Sequence, residues 1–148
     1  MSAVTAIFHI VINTHQRQMT LPQNTSEALY RYIAGVIVNK QCVCHAINGI
    51  ENHIHMLVDL HPSVCLSDLV RDIKLSSNMW IKQHPEWFPA FNGWGKEYGA
   101  FSYAQRDREM VAAYIGRQRE HHQREPFETE FRNHVERAGL DWSDFRLT

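Results

Sequence analysis

The order of hydrophobic patterns predicts an α+β fold of the ferredoxin-like, split βαβ type, an antiparallel sheet with helices on one face and a C-terminal helical extension. Three observations lead there. Four stretches carry strand-like alternation or are apolar on both sides. Two stretches of helical periodicity are interleaved with them. Two more helical stretches close the chain, so the order reads β-α-β-β-α-β-α-α. No repeat, low-complexity tract or linker interrupts it, and residues 1–148 read as one domain.

Ala3 to Thr14 reads as the first strand. Phe8, Ile10 and Ile12 line one face and Ile7, His9 and Val11 the other; with both faces largely apolar, it belongs inside the sheet. Thr14-His15-Gln16-Arg17 leaves it as a polar connection. Asn24 with Glu27 three residues on is a start signal for a helix reaching about Val38. Leu29, Tyr32, Ile33, Val36 and Ile37 recur there at helical spacing, while Gly35 lowers propensity and would permit a close backbone approach.

Gln41 to Asn48 is the second strand, with a turn at Asn48-Gly49 and a short hairpin link through Asn52. The third strand, Asn52 to Leu60, follows. Leu66 to Gln83, opened by Ser67-Asp68, is the second helix, and Leu66, Leu69, Val70, Ile73, Ser77 and Trp80 form its inward stripe. Arg71, Lys74 and Lys82 lie off that stripe, open to solvent or to phosphate. The Pro- and Gly-containing loop His84 to Lys96 holds Trp87, Phe88, Phe91 and Trp94, which either stack on unpaired bases or fold back on the domain, the latter favoured. Tyr98 to Tyr103 is the fourth strand. A third helix runs from about Asp107 to about His122, Pro126 breaks it, and Phe127 to Ala138 forms a last helix closed by Gly139.

Composition sets bounds. With 44% hydrophobic and 21% charged residues the chain can bury a core. No run is long enough to span a membrane, and the N-terminus lacks a signal-peptide pattern, so a cytoplasmic protein without a membrane partner is expected. The three cysteines cannot all pair with one another; Cys42 and Cys44 read as small buried thiols, and Cys42-x-Cys44-His45 lacks a second pair at zinc spacing. A net charge of −1 excludes a generic, highly basic nucleic-acid binder. Distribution leaves a local basic face open: Arg106, Arg108, Arg117, Arg119 and Arg124 cluster around the third helix, ahead of an acid-rich C-terminal stretch.

The chemistry gathers on the third strand. His53, His55, Leu57 and Asp59 face one way, and Ile54, Met56, Val58 and Leu60 the other. The two imidazoles therefore start about 7 Å apart on one sheet face, where both can reach one ion. Asp59 is too far along for an easy third ligand. In the third helix, Tyr114 and Gln118 stand at i and i+4 and share a face, with Gly116 between them. Taken from spacing alone, Tyr114 is equally well a core aromatic.

Five blocks occur in order: Asn52-His53-Ile54-His55-Met56-Leu57-Val58, Asp72-Ile73-Lys74-Leu75-Ser76-Ser77, Tyr98-Gly99-Ala100-Phe101-Ser102, Tyr114-Ile115-Gly116-Arg117-Gln118-Arg119-Glu120-His121-His122 and Phe127-Glu128-Thr129-Glu130-Phe131. Together they closely resemble the single-tyrosine HUH transposases of small bacterial insertion sequences and the related transposases of repetitive extragenic palindromes. The resemblance covers nearly the whole chain. It implies that His53 and His55 hold a divalent metal, Mg²⁺ or Mn²⁺, that Gln118 is the third ligand, and that Tyr114 is the nucleophile. It further implies a single-stranded DNA substrate with hairpin ends, a 5′-phosphotyrosine intermediate, and a homodimer in which active sites are often shared. Ala104 stands where such sequences commonly have serine.

Rival readings are a domesticated hairpin-specific endonuclease and a non-catalytic hairpin-binding module. A histidine-triad nucleotide hydrolase would need a third alternating histidine, where this chain has Leu57.

Overall fold

Strand β1 (Ile7–Thr14) is buried along nearly its whole length because it sits inside the sheet, hydrogen-bonded on each side. In the computed structural model, which describes residues 2–118 and 127–141 (without the side chains at 127, 128, 130 and 131), the chain continues through helix α1 (Gln23–Asn39), strands β2 (Val43–Ile50) and β3 (His53–Asp59), helix α2 (Leu66–Lys82) and strand β4 (Trp94–Tyr103). Helices α3 (Arg108–Gly116) and α4 (Phe127–Arg137) follow. The sheet order is β2-β3-β1-β4, with every pairing antiparallel. This is the α+β, ferredoxin-like arrangement that the element order implies. Among the described residues, no helix is long and apolar enough to cross a membrane.

The pleat sorts β1 and β3 into two unlike faces. Ile10, Ile12, Ile54, Met56 and Val58 meet Leu29, Ile33 and Ile37 of α1 and Leu69, Val70 and Ile73 of α2 in the main core. Each such side chain contributes about 1.5–3 kcal/mol when fully buried. On the opposite face Ile7 and Leu57 pack with Val111 and Ile115 of α3 in a second, smaller cluster. Cross-strand partners share a face, so the pairs His9–Leu57, Val11–His55 and Asn13–His53 place all three histidines on the α3 side.

Several boundaries differ from the sequence reading for identifiable reasons. Strand β1 starts at Ile7 rather than Ala3. Helix α1 starts at Gln23 behind Pro22, whose fixed φ suits a helix entrance, and no side chain caps its N-terminus. The Ser26 hydroxyl instead donates to the Pro22 carbonyl at 2.7 Å. Tyr30 takes the buried place expected for Tyr32, which stacks on Trp80 with centroids 5.3 Å apart. Strand β2 runs on through Asn48-Gly49, and the reversal falls at Glu51-Asn52, with Ile50 opposite His53.

Strand β4 begins four residues earlier than expected, at Trp94, whose indole N–H donates to Ser77 Oγ at 2.9 Å. The aromatic loop folds onto its own domain: Phe88 is buried, and Phe91 and Trp94 pack against the main core. Lys74 is half-buried, and its ammonium donates to the carbonyls of Gly95 (2.9 Å) and Glu97 (3.1 Å); partial burial lowers its pKa. Helix α4 ends at Arg137, with Gly139 at φ +79 and the Leu140 N–H returning to the Val135 carbonyl, a left-handed closure that glycine adopts without strain.

Gly35 has no close approach to permit: a Cβ there would meet nothing within 4 Å. Gly35→Ala is therefore expected to stabilise the protein by about 0.5–1 kcal/mol, since only helix propensity and unfolded-state entropy change. Thermal unfolding should show a midpoint roughly 2–4 °C higher.

Candidate active site

The tight Glu51-Asn52 turn delivers β3 at His53, and the turn residue itself engages the ring: His53 Nδ1 lies 2.7 Å from Asn52 Oδ1. A carboxamide oxygen only accepts, so Nδ1 carries the proton and Nε2 keeps the lone pair. His55 Nδ1 lies 2.7 Å from His9 Nε2. With the shared proton on His55 Nδ1, its Nε2 is likewise the lone-pair nitrogen. The two rings meet edge to face with centroids 4.8 Å apart, and both residues are buried. Alternation on one strand thus becomes a matched pair of imidazoles.

Helix α3 brings Tyr114. Val111 and Ile115 anchor the helix on Ile7 and Leu57, which turns Tyr114 toward the histidines. Its ring centroid is 6.2 Å from those of His9 and His55. Its hydroxyl lies 3.1 Å from Nε2 of His134 on α4. The far end of α3 is held by Asn48, whose Nδ2 donates to the carbonyls of Ile115 (3.1 Å) and Gly116 (3.3 Å). Asn48 pairs with His55 across β2 and β3, so α3 ends level with the histidine pair.

Between Tyr114 and Gln118 the helix is interrupted. The expected continuous helix ends at Gly116, and Arg117 leaves helical geometry at φ −102, ψ 21. Gln118 is fully buried just beyond that break. The single non-helical residue Arg117, beside the Asn48 cap, separates Gln118 from the helix that carries Tyr114. Gly116 is the last residue of α3, and a Cβ there would meet nothing within 4 Å. The rest of the expected third helix, from Arg119 to His122, and Arg124 lie outside the described residues.

A cavity of about 230 Å³ opens at Tyr114, lined also by His9, His134, Arg117 and Arg137. A neighbouring hollow of about 510 Å³ shares Tyr103, His134 and Arg137 with it. Burial pushes the Tyr103 phenol above its ordinary pKa, against the opposing pull of Arg137, so Tyr103 stays protonated on this wall. Of the expected basic cluster, Arg117 faces the tyrosine; Arg137 joins it from α4. Asp59 takes no part, since its carboxylate accepts the Ala6 N–H at 3.3 Å.

The donor set suits a divalent cation. Two buried imidazoles with Nδ1 engaged offer neutral nitrogen donors on one strand, and the partners that fix each ring are of the kind that orients metal ligands. Among the described residues, no cluster of three or more His, Cys, Asp and Glu forms an alternative centre. The thiols stay apart from it: Cys42 and Cys44 contact the carbonyls of Lys40 and Ala46, and burial raises the Cys44 pKa, keeping it a neutral thiol.

Two members of the site escaped the sequence reading. His9 had a signal, as a polar residue on an otherwise apolar central strand. His134 had none, because α4's periodicity cannot say what it docks against.

Comparison with known proteins agrees with this architecture. A family model described as "Transposase IS200 like" matches residues 2–118. A Deinococcus radiodurans R1 protein provisionally named as a transposase superposes with a TM-score of 0.62 at 18% identity, covering 79% of this chain and 93% of its own. A REP-associated tyrosine transposase bound to a REP hairpin gives a TM-score of 0.62 at 18% identity, over 99% of this chain and 88% of its own. No curated protein matches the chain. A match across residues 2–118, on a fold shared with two such structures, places this chain in the IS200-like transposase family.

Proposed function

We propose that the protein, read as one domain over residues 1–148, cuts and rejoins single-stranded DNA at the ends of a mobile element, with Tyr114 as nucleophile. His53, His55 and Gln118 would hold Mg²⁺ or Mn²⁺. The observation that carries this reading is Tyr114 beside the histidine pair of its own chain, at the mouth of a cavity it shares with two arginines. The neighbour bound to a REP hairpin supports hairpin-ended DNA as the substrate.

Arg117 and Arg137 attract the phosphodiester anion and hold it over the phenol. When bound, the metal offsets the negative charge of the phosphate and polarises a non-bridging oxygen. Tyr114 Oη forms the new bond to phosphorus as the bond to the 3′ oxygen breaks, leaving a 5′-phosphotyrosine and a 3′-OH. Because the phosphoester is conserved on the enzyme, the 3′-OH of another strand end can attack it and restore the backbone without ATP.

Incubating the protein with Mn²⁺ and a labelled single-stranded oligonucleotide carrying the hairpin ends of its own element should give a covalent adduct on a denaturing gel. Tyr114→Phe should give none. Hairpin binding without an adduct in the wild type would leave only a binding module. The proximity of Tyr114 and His55 within one chain supports action in cis, even within the homodimer that the resemblance implies. Mixing Tyr114→Phe with His55→Ala should then fail to restore the adduct.

A further inference from the structure

Helix α4 lies beyond the matched residues 2–118, yet it supplies a side chain to the centre of the site. His134 is buried, with Phe101 stacked on its ring at 5.8 Å and His9 edge-on at 5.1 Å. These rings fix its plane so that Nε2 meets the Tyr114 hydroxyl at 3.1 Å, while the side chain still lines the cavity. A phenol of ordinary pKa about 10 holds its proton at neutral pH and is a poor nucleophile until something takes it. A proton acceptor must lie within about 2.6–3.2 Å of that proton's oxygen, and His134 does.

We propose that His134 is a catalytic residue, the group that accepts the Tyr114 proton during strand cleavage and returns it during rejoining. The proposal rests on the reading of Tyr114 as nucleophile. In cleavage the Oη–H proton passes to His134 Nε2, an Oη lone pair forms the bond to phosphorus, and the P–O3′ pair leaves with the 3′ oxygen, which takes a proton from water. In rejoining the 3′-OH attacks phosphorus, its proton passes to water, and the departing Oη recovers its proton from the imidazolium. Protons and electron pairs balance in each direction, and no further reactant is needed.

The test is single-turnover adduct formation on the hairpin-ended oligonucleotide with Mg²⁺, comparing wild type, His134→Ala, His134→Gln and Tyr114→Phe. His134→Ala should slow the reaction by at least about a hundredfold, the scale of a lost general base, with hairpin binding retained. Added imidazole, entering the vacated wall of the cavity, should restore the rate in proportion to its concentration, leaving Tyr114→Phe inactive and wild type unchanged. Should the alanine variant not fold, His134→Gln keeps the side chain's size and hydrogen bonding, and its loss of rate at wild-type stability carries the same support. A folded variant cleaving at the wild-type rate overturns the proposal, as does a slow alanine variant indifferent to imidazole. Absence of adduct in the wild type would instead overturn the role of Tyr114, and this proposal with it.

Discussion

Replacing His55 by alanine is expected to abolish measurable Mn²⁺ binding and to slow strand cleavage about a thousandfold, equivalent to about 4 kcal/mol of lost transition-state stabilisation. The side chain is buried, and its Nδ1 is held by His9, so its Nε2 is placed without further ordering. Removing it takes one of three proposed donors and leaves His9 to find another partner for a buried nitrogen, at about 1–3 kcal/mol of stability. Titration calorimetry with Mn²⁺ separates the two effects, provided thermal unfolding shows the variant folded. Wild type should bind Mn²⁺ more tightly than Mg²⁺, because Mn²⁺ exchanges water for imidazole nitrogen more readily than the small, reluctantly dehydrated Mg²⁺. Unchanged Mn²⁺ affinity in His55→Ala would remove the histidine pair from the mechanism.

Gly49→Ala is expected to cost about 2–3 kcal/mol, the scale of an overpacked interior site, and to lower the unfolding midpoint by roughly 6–10 °C. A Cβ at Gly49 would overlap the His53 carbonyl oxygen and lie 3.0 Å from the Ile54 Cα. Both obstacles are backbone in a paired strand, so neither can swing aside. The displaced carbonyl belongs to His53 itself, and Mn²⁺ affinity should fall along with stability. Gly35→Ala makes the contrast, since the same added methyl there meets nothing. A Gly49→Ala protein melting within a degree of wild type would show that the β2–β3 approach is looser than described.

These two glycines show where local reading stops. Both depart from the surrounding pattern, and the sequence suggested a close approach for Gly35 and a turn for Gly49. Neither holds: Gly35 lies exposed on α1 with nothing close to it, and Gly49 sits within a strand against another strand's backbone. Whether a missing Cβ matters depends on what stands opposite, and that residue can come from anywhere in the chain. The helix entrances carry the same lesson. Asn24 looked like a cap, but Pro22 sets the start of α1 and the Ser26 hydroxyl satisfies its carbonyl.

What the sequence determined by itself was whatever depends on period and order. Alternation put His53, His55 and Leu57 on one side of β3 and the apolar set on the other, because successive strand residues must point oppositely. The order of strands and helices named the antiparallel α+β fold, and the motif blocks pointed to the transposase family. Only tertiary structure decided which residues meet across elements. It set His9 against His55 from a neighbouring strand, ended α3 at Gly116 beside the Asn48 cap, and laid His134 against Tyr114 from a helix twenty residues on. These contacts join side chains far apart in sequence, and periodicity within a segment holds no information about the surface that segment will meet.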